Sequence, residues 1–239
     1  MPVENKIILV VGASSGIGLT IAQALIKAGA EVITASRHVS DELKQLGTKH
    51  IPLDVLQLDN ELQEQLPNKL HGLIYCPGSI RLKPFERLPL EDFRKDLELN
   101  VLGAIQVIKA AVPLLKKAEG ASVVLFSTVA AKLGMPFHTS IATAKAAVEG
   151  LTVSLAAEYA SANIRFNALS LSLTDTPLAG QLLNTPEKSE TAAKRHPLGR
   201  IGKTQDAAEA ALYLLSDASS WMTGQILHLD GGMSSVKLL

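Results

Sequence analysis

The stretch Ile7-Ile8-Leu9-Val10-Val11-Gly12-Ala13-Ser14-Ser15-Gly16-Ile17-Gly18 decides the fold of this chain. Its first five residues are all apolar, which is typical of a strand buried on both faces. Three glycines follow, and helical periodicity then runs from Ile17 to Ala28 and ends at Gly29. Glycines allow a tight turn from strand to helix and let backbone N–H groups at the helix N-terminus approach an anion closely. The stretch therefore predicts a strand–loop–helix unit that binds phosphate.

Strands alternate with helices along the rest of the chain. Further strands are predicted around residues 32–34, 51–53, 72–75, 122–127, 164–169 and 225–229, and helices over 90–117, 140–159 and 204–215. This alternation predicts an α/β fold with a doubly wound, seven-stranded parallel sheet and helices on both faces. The polar stretch 172–203 is too long for an ordinary connection and is interpreted as a partly helical lid over a site. Since no repeat or linker divides the chain, we expect one domain over residues 1–239.

The composition of the chain argues against several classes of partner. The 23 acidic and 23 basic residues balance to zero net charge, so nothing indicates a nucleic-acid partner. No stretch approaches 18 unbroken apolar residues, so we expect no membrane span. The first strand begins near Lys6, which leaves no room for a signal peptide. The single cysteine, Cys76, excludes an internal disulfide framework and predicts a cytoplasmic location.

The order and spacing of several motifs resemble the short-chain dehydrogenase/reductase family. The first two glycines of the loop are separated by three residues and the last two by one, which is the variant of this family. Further matches follow in family order at Asn100, Thr128, Lys145, Thr174-Asp175-Thr176, Thr223-Gly224-Gln225 and Asp230-Gly231-Gly232. The resemblance covers almost the whole chain. It implies a Rossmann-like domain that binds NAD(P) and transfers a hydride.

The resemblance also implies the cofactor-binding residues. The glycine loop would bind the pyrophosphate, Asp54 would lie beside the adenine ring, Lys145 would bind the nicotinamide ribose, and Thr176 would meet the carboxamide. The full predicted set is Gly12, Ser14, Ser15, Gly16, Ile17, Gly18, Ser36, Arg37, Asp54, Val55, Gly78, Asn100, Lys145, Thr174 and Thr176. No metal site is predicted.

The end of the second strand predicts which nicotinamide cofactor is bound. NAD sites of this design place an acid there to bind the ribose hydroxyls, and that acid would repel a 2′-phosphate. This chain instead has Ser36 at the acidic place, followed by Arg37, whose guanidinium is a suitable phosphate partner. The alternative is that Arg37 is simply an exposed arginine near a turn. We therefore expect NADP(H), with NAD(H) less favoured.

The reaction centre departs from the family pattern. The family uses a Ser, a Tyr and a Lys four residues after the Tyr. Here Thr128 stands for the Ser and keeps a hydroxyl, whereas Ile141 stands for the Tyr and cannot exchange a proton. Lys145 remains, and Asn100 falls where the family keeps an Asn that holds a water in a proton relay. Where the family usually has Asn-Asn-Ala-Gly after the fourth strand, this chain has Tyr75-Cys76-Pro77-Gly78 and keeps only the glycine.

A residue other than the missing tyrosine could supply the proton. His138 precedes Lys145 by seven residues, which is the spacing of Tyr to Lys in the divergent enoyl reductases of the family. Histidine suits this role because it donates and accepts protons near neutral pH. The alternative is a loop histidine bonded to the backbone, with a water as the donor. No other histidine is expected at the site, and Tyr75 is expected to pack rather than to react.

Two functions follow from this pattern. The first is an NADP(H)-dependent oxidoreductase that reduces a carbonyl or conjugated enoyl group of a small or carrier-linked substrate, with Asn100, Thr128, His138 and Lys145 as catalytic residues. The second is a non-catalytic NADP(H)-binding protein. Leu178, Leu182 and Leu183 indicate an apolar lid wall. The resemblance implies a homotetramer or homodimer that pairs segments 97–115 and 144–155, whose small and aliphatic residues suit close packing.

Overall fold

A parallel sheet forms the centre of the computed structural model, which describes residues 3–57 and 61–237. Within these residues the strands are β1 (Ile7–Val11), β2 (Glu31–Ser36), β3 (Lys49–Pro52), β4 (Gly72–Tyr75), β5 (Ala121–Thr128), β6 (Ile164–Leu171) and β7 (Ile226–Leu229). They lie in the order β3-β2-β1-β4-β5-β6-β7, and every neighbouring pair is parallel. The sheet confirms the predicted fold class and the number of strands.

Helices cover both faces of the sheet. They are α1 (Gly16–Lys27), α2 (Asp41–Gln45), α3 (Glu61–Gln65), α4 (Leu90–Leu97), α5 (Gly103–Leu115), α6 (Thr139–Tyr159), α7 (Pro186–Lys194) and α8 (Thr204–Leu215). Alternate side chains of each strand point to opposite faces, so Leu9 packs in a core with α5 and α6, whereas Ile8 packs in a second core with α1 and α8. The two cores bury the apolar strands on both sides, as their sequences require.

The predicted long helix over 90–117 is confirmed as one helical run, Leu90–Ala118, with a change of winding inside it. It is not a continuous α-helix, because a π-helical turn at Glu98–Leu102 separates α4 from α5. The run Leu90–Ala118 is long and apolar enough to cross a membrane by length and composition. Many of its apolar side chains, among them Val107, Ile108 and Ala111, are buried in the core against the sheet, so it is the core helix of this domain.

The carboxyl ends of the strands place the chemistry at one edge of the sheet. Consecutive α/β units leave a crevice where the strand order reverses, and here β1 and β4 are neighbours with Val11 paired to Tyr75. Further along the same edge, Thr128 at the end of β5 pairs with Leu171 at the end of β6. The loops after these four strands therefore meet above the sheet.

Candidate active site

A cleft of about 270 Å³ lies at the carboxyl ends of β1, β2 and β4. Gly12 and Gly16 have φ angles of +83° and +54°, which favour glycine. A Cβ atom on Gly18 would collide with the carbonyl oxygen of Gly12, so this position also requires glycine. The cleft brings together twelve of the predicted cofactor residues: Gly12, Ser14, Ser15, Gly16, Ile17, Gly18, Ser36, Arg37, Asp54, Val55, Gly78 and Thr176. This glycine-lined cleft at a helix N-terminus fits a dinucleotide.

Arg37 places a positive charge in the wall of the cleft, just after the end of β2. Ser36 is buried, and its hydroxyl donates a 2.7 Å hydrogen bond to the carbonyl oxygen of His38. Arg37 is exposed, lines the cleft, and forms no ion pair with another described residue. Asp54 also lines the cleft, where its carboxylate accepts a 3.0 Å bond from the backbone N–H of Leu56. The end of β2 therefore offers a guanidinium and a hydroxyl oxygen.

A second cavity of about 510 Å³ adjoins this cleft. Its wall includes the polar side chains of Thr128, His138, Lys145 and Thr174, and Ile141 lies among them. About half of the remaining lining residues are aliphatic or methionine, among them Ile80, Leu82, Met135, Leu173, Leu178, Leu182 and Met233, and the 187–196 part of the wall adds Glu187, Lys188 and Arg195. Ile17, Cys76, Gly78, Thr176 and Leu178 line both spaces. A nicotinamide ring extending from the cleft would therefore reach the cavity.

Lys145 is a buried cation in the wall of this cavity. Its ammonium donates a 2.9 Å hydrogen bond to the carbonyl oxygen of Phe126. Burial lowers the pKa of Lys145 to about 8, while the neighbouring Cys76 and Asp96 act in the opposite direction. Ile141 precedes Lys145 by one helical turn on α6 and is 5% exposed. An aliphatic side chain thus occupies the position next to the ammonium where the family has its tyrosine.

Asn100 lies in the π-helical turn and is almost fully buried. Its Nδ2 donates to the carbonyl oxygen of Asp96 at 2.8 Å and to Oγ of Ser79 at 3.2 Å. Its Oδ1 is buried and accepts no hydrogen bond from the described residues. A Cβ atom on Gly78 would lie 3.4 Å from this Oδ1 and 3.6 Å from Nζ of Lys145. The amide oxygen and the ammonium therefore approach the same point beside Gly78.

Thr128 and His138 contribute a hydroxyl and an imidazole. Oγ1 of Thr128 accepts a 3.4 Å bond from the backbone N–H of Ala130, which leaves its own O–H able to donate into the cavity. His138 immediately precedes α6, and its Nδ1 lies 2.7 Å from the carbonyl oxygen of Pro136. A ring N–H on Nδ1 satisfies this carbonyl, so Nε2 is the nitrogen that remains for exchange.

Tyr75 packs as predicted. Its phenol is buried and donates a 2.6 Å hydrogen bond to the carbonyl oxygen of Leu99 in the π-helical turn. Burial raises the pKa of Tyr75 far above its usual value, with smaller contributions from the charges of Asp54 and Cys76. The phenol therefore stays protonated and engaged in a structural contact.

Sequence reasoning missed one histidine of the cavity. The expectation that only His138 lies near the site is wrong, because His196 also lines the cavity. His196 is buried, with Nδ1 2.9 Å from the carbonyl oxygen of Ala192 and Nε2 2.9 Å from Oγ of Ser172. It follows α7 in the 172–203 segment, so only the fold brings it beside the end of β6. No local sequence signal marks it.

A cavity that presents a hydroxyl and a buried lysine beside a dinucleotide-type cleft defines a nicotinamide-dependent class of α/β protein. A family model described as enoyl-(acyl carrier protein) reductase matches residues 12–234. The chain is 36% identical over 247 residues to 3-oxoacyl-(acyl-carrier-protein) reductase FabG of Thermotoga maritima, covering 98% of this chain and 99% of that protein. The chain therefore belongs to the short-chain dehydrogenase/reductase family.

Further relatives are oxidoreductases too. 7alpha-Hydroxysteroid dehydrogenase of Escherichia coli is 31% identical over 245 residues, covering 96% of this chain and 94% of that protein. The RhlG/NADP active-site complex of Pseudomonas aeruginosa superposes with a TM-score of 0.91 at 27% identity, covering 97% of each chain. Ligand-free aldohexose dehydrogenase of Thermoplasma acidophilum superposes with a TM-score of 0.89 at 30% identity, covering 99% of this chain and 96% of that one. These relatives support the oxidoreductase hypothesis and give the non-catalytic alternative no support.

Proposed function

We propose that this protein is an NADP(H)-dependent oxidoreductase that reduces a carbonyl group, with a conjugated enoyl group as the alternative acceptor. The observation that carries the proposal is the arrangement of Thr128, His138 and Lys145 in one cavity that shares a wall with the nucleotide cleft. Reduction of a carbonyl needs a hydride for the carbon and a proton for the oxygen. The side chains of the cavity can supply the proton. The cleft fits the nicotinamide cofactor, which would supply the hydride.

The chain's own residues divide the binding of the cofactor among them. When bound, the nicotinamide supplies the hydride. Backbone N–H groups of the glycine loop at the start of α1 bind the pyrophosphate. Arg37 pairs with the 2′-phosphate, where Ser36 brings no repelling charge. Lys145 would donate to the nicotinamide ribose. Thr176, which lines both the cleft and the cavity and whose hydroxyl donates to the carbonyl oxygen of Thr174, would meet the carboxamide.

The proton and the substrate oxygen are handled by three side chains. The O–H of Thr128 donates to the substrate carbonyl oxygen and stabilises the negative charge that develops there. His138 delivers a proton from Nε2 to this oxygen as the C=O double bond becomes C–O–H. Lys145 holds the ribose and contributes a positive charge to the cavity, and the neutral amide oxygen of Asn100 approaches the same region beside Gly78.

The substrate is expected to be apolar next to its reacting carbonyl. Leu178 and Leu182 in the 172–203 segment line the cavity opposite α6, so this segment serves as a lid on a single Rossmann domain. A cavity of about 510 Å³ accommodates a small ketone or the end of an acyl chain. The Thermotoga relative is named for an acyl-carrier-protein substrate, which supports a small or carrier-linked substrate here.

Consumption of NADPH across a panel of keto and enoyl substrates, free and carrier-linked, tests the proposal. Thr128→Val should lower the turnover of the best substrate about 10²-fold, because a donor to the developing oxyanion is lost. Thr143→Val is the matched control, since Thr143 is exposed on α6 and donates only to the carbonyl oxygen of Thr139. Tight NADPH binding without turnover on any substrate would instead identify a non-catalytic binding protein.

We also propose a cytoplasmic homotetramer or homodimer. Leu102 at the end of the π-helical turn and Val153 on α6 are each about half exposed, on the two segments predicted to pair. Burying such side chains between copies would remove apolar surface from water. Sedimentation of a 25.4 kDa monomer at micromolar concentration would refute the assembly.

A further inference from the structure

A buried carboxylate connects three segments of the reaction centre. Asp96, near the end of α4, is fully buried. Its Oδ1 accepts hydrogen bonds from Oγ of Ser79 at 2.6 Å and from Nε of Arg81 at 3.1 Å. Its Oδ2 accepts a 2.6 Å bond from Oγ of Ser140 at the start of α6. The carboxylate thus joins α4 to the segment after β4 and to the helix that carries Ile141 and Lys145.

The same residue fixes the orientation of a neighbouring amide. The backbone carbonyl of Asp96 accepts from Nδ2 of Asn100, and Ser79, held by the Asp96 carboxylate, accepts a second bond from the same Nδ2. Because both acceptors lie on the Nδ2 side, the amide cannot flip without facing its oxygen toward two acceptors. Oδ1 is therefore the atom left near Gly78 and the Lys145 ammonium.

The charge of Asp96 also suits this location. A buried carboxylate is costly unless it is paired and hydrogen-bonded, and here Arg81 pairs with it while two hydroxyls complete its shell. Asp92, one turn earlier, provides a natural comparison. It binds Arg81 at 3.3 Å and Lys83 at 2.7 Å but has no hydrogen bond to Asn100, Ser79 or Ser140. Asp96 alone of the two carboxylates reaches the reaction centre.

We propose that Asp96 is a positioning residue, which holds Asn100 so that its amide oxygen faces Lys145 and keeps the ammonium aligned for the cofactor ribose. This inference rests on the proposed function, since it assigns Lys145 to the cofactor. Asp96 acts through Asn100 and touches neither substrate nor cofactor. Its hydrogen bonds join the π-helical turn to α6. This link lies in a chain that has Ile141 where the family has its catalytic tyrosine.

A double-mutant cycle on NADPH affinity tests the proposal. Asp96→Asn should weaken NADPH binding about tenfold in the parent and have no further effect in a Lys145→Met background, because the proposed effect of Asp96 on the cofactor passes through the Lys145 ammonium. A residue that only stabilised the fold would weaken binding equally in both backgrounds, and that additive result would overturn the proposal. Asp92→Asn is the matched control and should leave the affinity within twofold of the parent.

A second measurement does not depend on cofactor binding. The Asn100 side-chain amide protons, identified by their absence in Asn100→Ala, should exchange slowly with solvent in the parent and in Asp92→Asn. Exchange should be at least tenfold faster in Asp96→Asn. Ser79→Ala, a milder change should Asp96→Asn fail to fold, should show the same acceleration. Unchanged exchange in a folded variant would overturn the role of Asp96, whereas failure of the parent to bind NADPH would refute only the proposed cofactor.

Discussion

Restoring a phenol beside Lys145 is the sharpest test of how this cavity works. Ile141 lies one helical turn before Lys145, is 5% exposed and faces the 510 Å³ cavity. Ile141→Tyr would extend a ring and a hydroxyl into that space. Overpacking of a buried site costs roughly 1–3 kcal/mol, and the adjoining cavity should keep the cost near the lower value.

The expected gain follows from the chemistry of the added group. A positioned general acid is worth ~10²–10⁴-fold, or roughly 3–5 kcal/mol of activation free energy. Lys145 is already in place, and its positive charge would favour ionisation of a nearby phenol. We therefore expect Ile141→Tyr to raise the turnover of ordinary ketones above that of the parent, even if the unfolding temperature falls.

The assay is NADPH oxidation with a ketone panel, alongside thermal unfolding of each variant. Ile141→Phe is the matched control, because it adds nearly the same bulk without the hydroxyl. If the Tyr variant is no faster than the Phe variant while both bind NADPH, then the phenol does not reach the reacting oxygen. That result would refute the reasoning that position 141 faces the site of proton transfer.

Three further perturbations follow from the same geometry. His138→Ala should lower turnover at least tenfold and leave NADPH affinity intact, measured as kcat and Kd, because the imidazole acts in the transition state. Arg37→Ala should weaken NADPH about ten- to a hundredfold and leave NADH unchanged in parallel titrations, since a charge-assisted hydrogen bond is worth ~1.5–3 kcal/mol. The pKa of Lys145 is lowered by burial to about 8, so its ammonium is lost as pH rises through this value. NADPH affinity should fall above pH 8 in the parent, and this dependence should be absent in Lys145→Met.

Controls for these changes are available on the surface. Arg200→Ala removes an exposed arginine that is paired with Asp206 and does not line the cleft, and it should not alter cofactor preference. His228→Ala removes an exposed histidine and should leave kcat unchanged. An unchanged rate in His138→Ala would leave a water as the proton donor. A parent that prefers NADH would contradict the role of Arg37, and a flat pH profile would contradict that of Lys145.

The strands and long helices could be predicted because their signals are local. Apolar runs such as 7–11 and 123–126 lie in strands with the core on both faces, and each strand lies within two residues of its predicted place. The π-helical turn at Glu98–Leu102 escaped prediction because a single extra residue per turn leaves the apolar pattern almost unchanged over a short window. α2 and α3 are each five residues long, too short for periodicity to identify.

Some residues of the candidate site could be predicted from the sequence, and others could not. The glycine loop and Lys145 belong to motifs with fixed spacing, so sequence places them. Asp96 and His196 do not, because their partners are distant in sequence: Ser140 lies 44 residues from Asp96, and Ser172 lies 24 from His196. An acidic residue four positions before Asn100 was the one available signal, and without the fold it reads as an exposed helix side chain.

The π-helical turn makes the reaction centre sensitive to chain length as well as to side-chain identity. It holds one more residue than an α-helical turn, so α4 and α5 are rotated relative to each other by about 100° compared with an unbroken helix. Deleting one residue within 98–102 would restore the regular helix and swing Asp96 away from Ser79 and Ser140, although every polar group remained in the sequence. Homologous chains should therefore tolerate substitutions here far better than single-residue deletions, and alignments that place a gap in this turn should mark proteins with a different reaction centre.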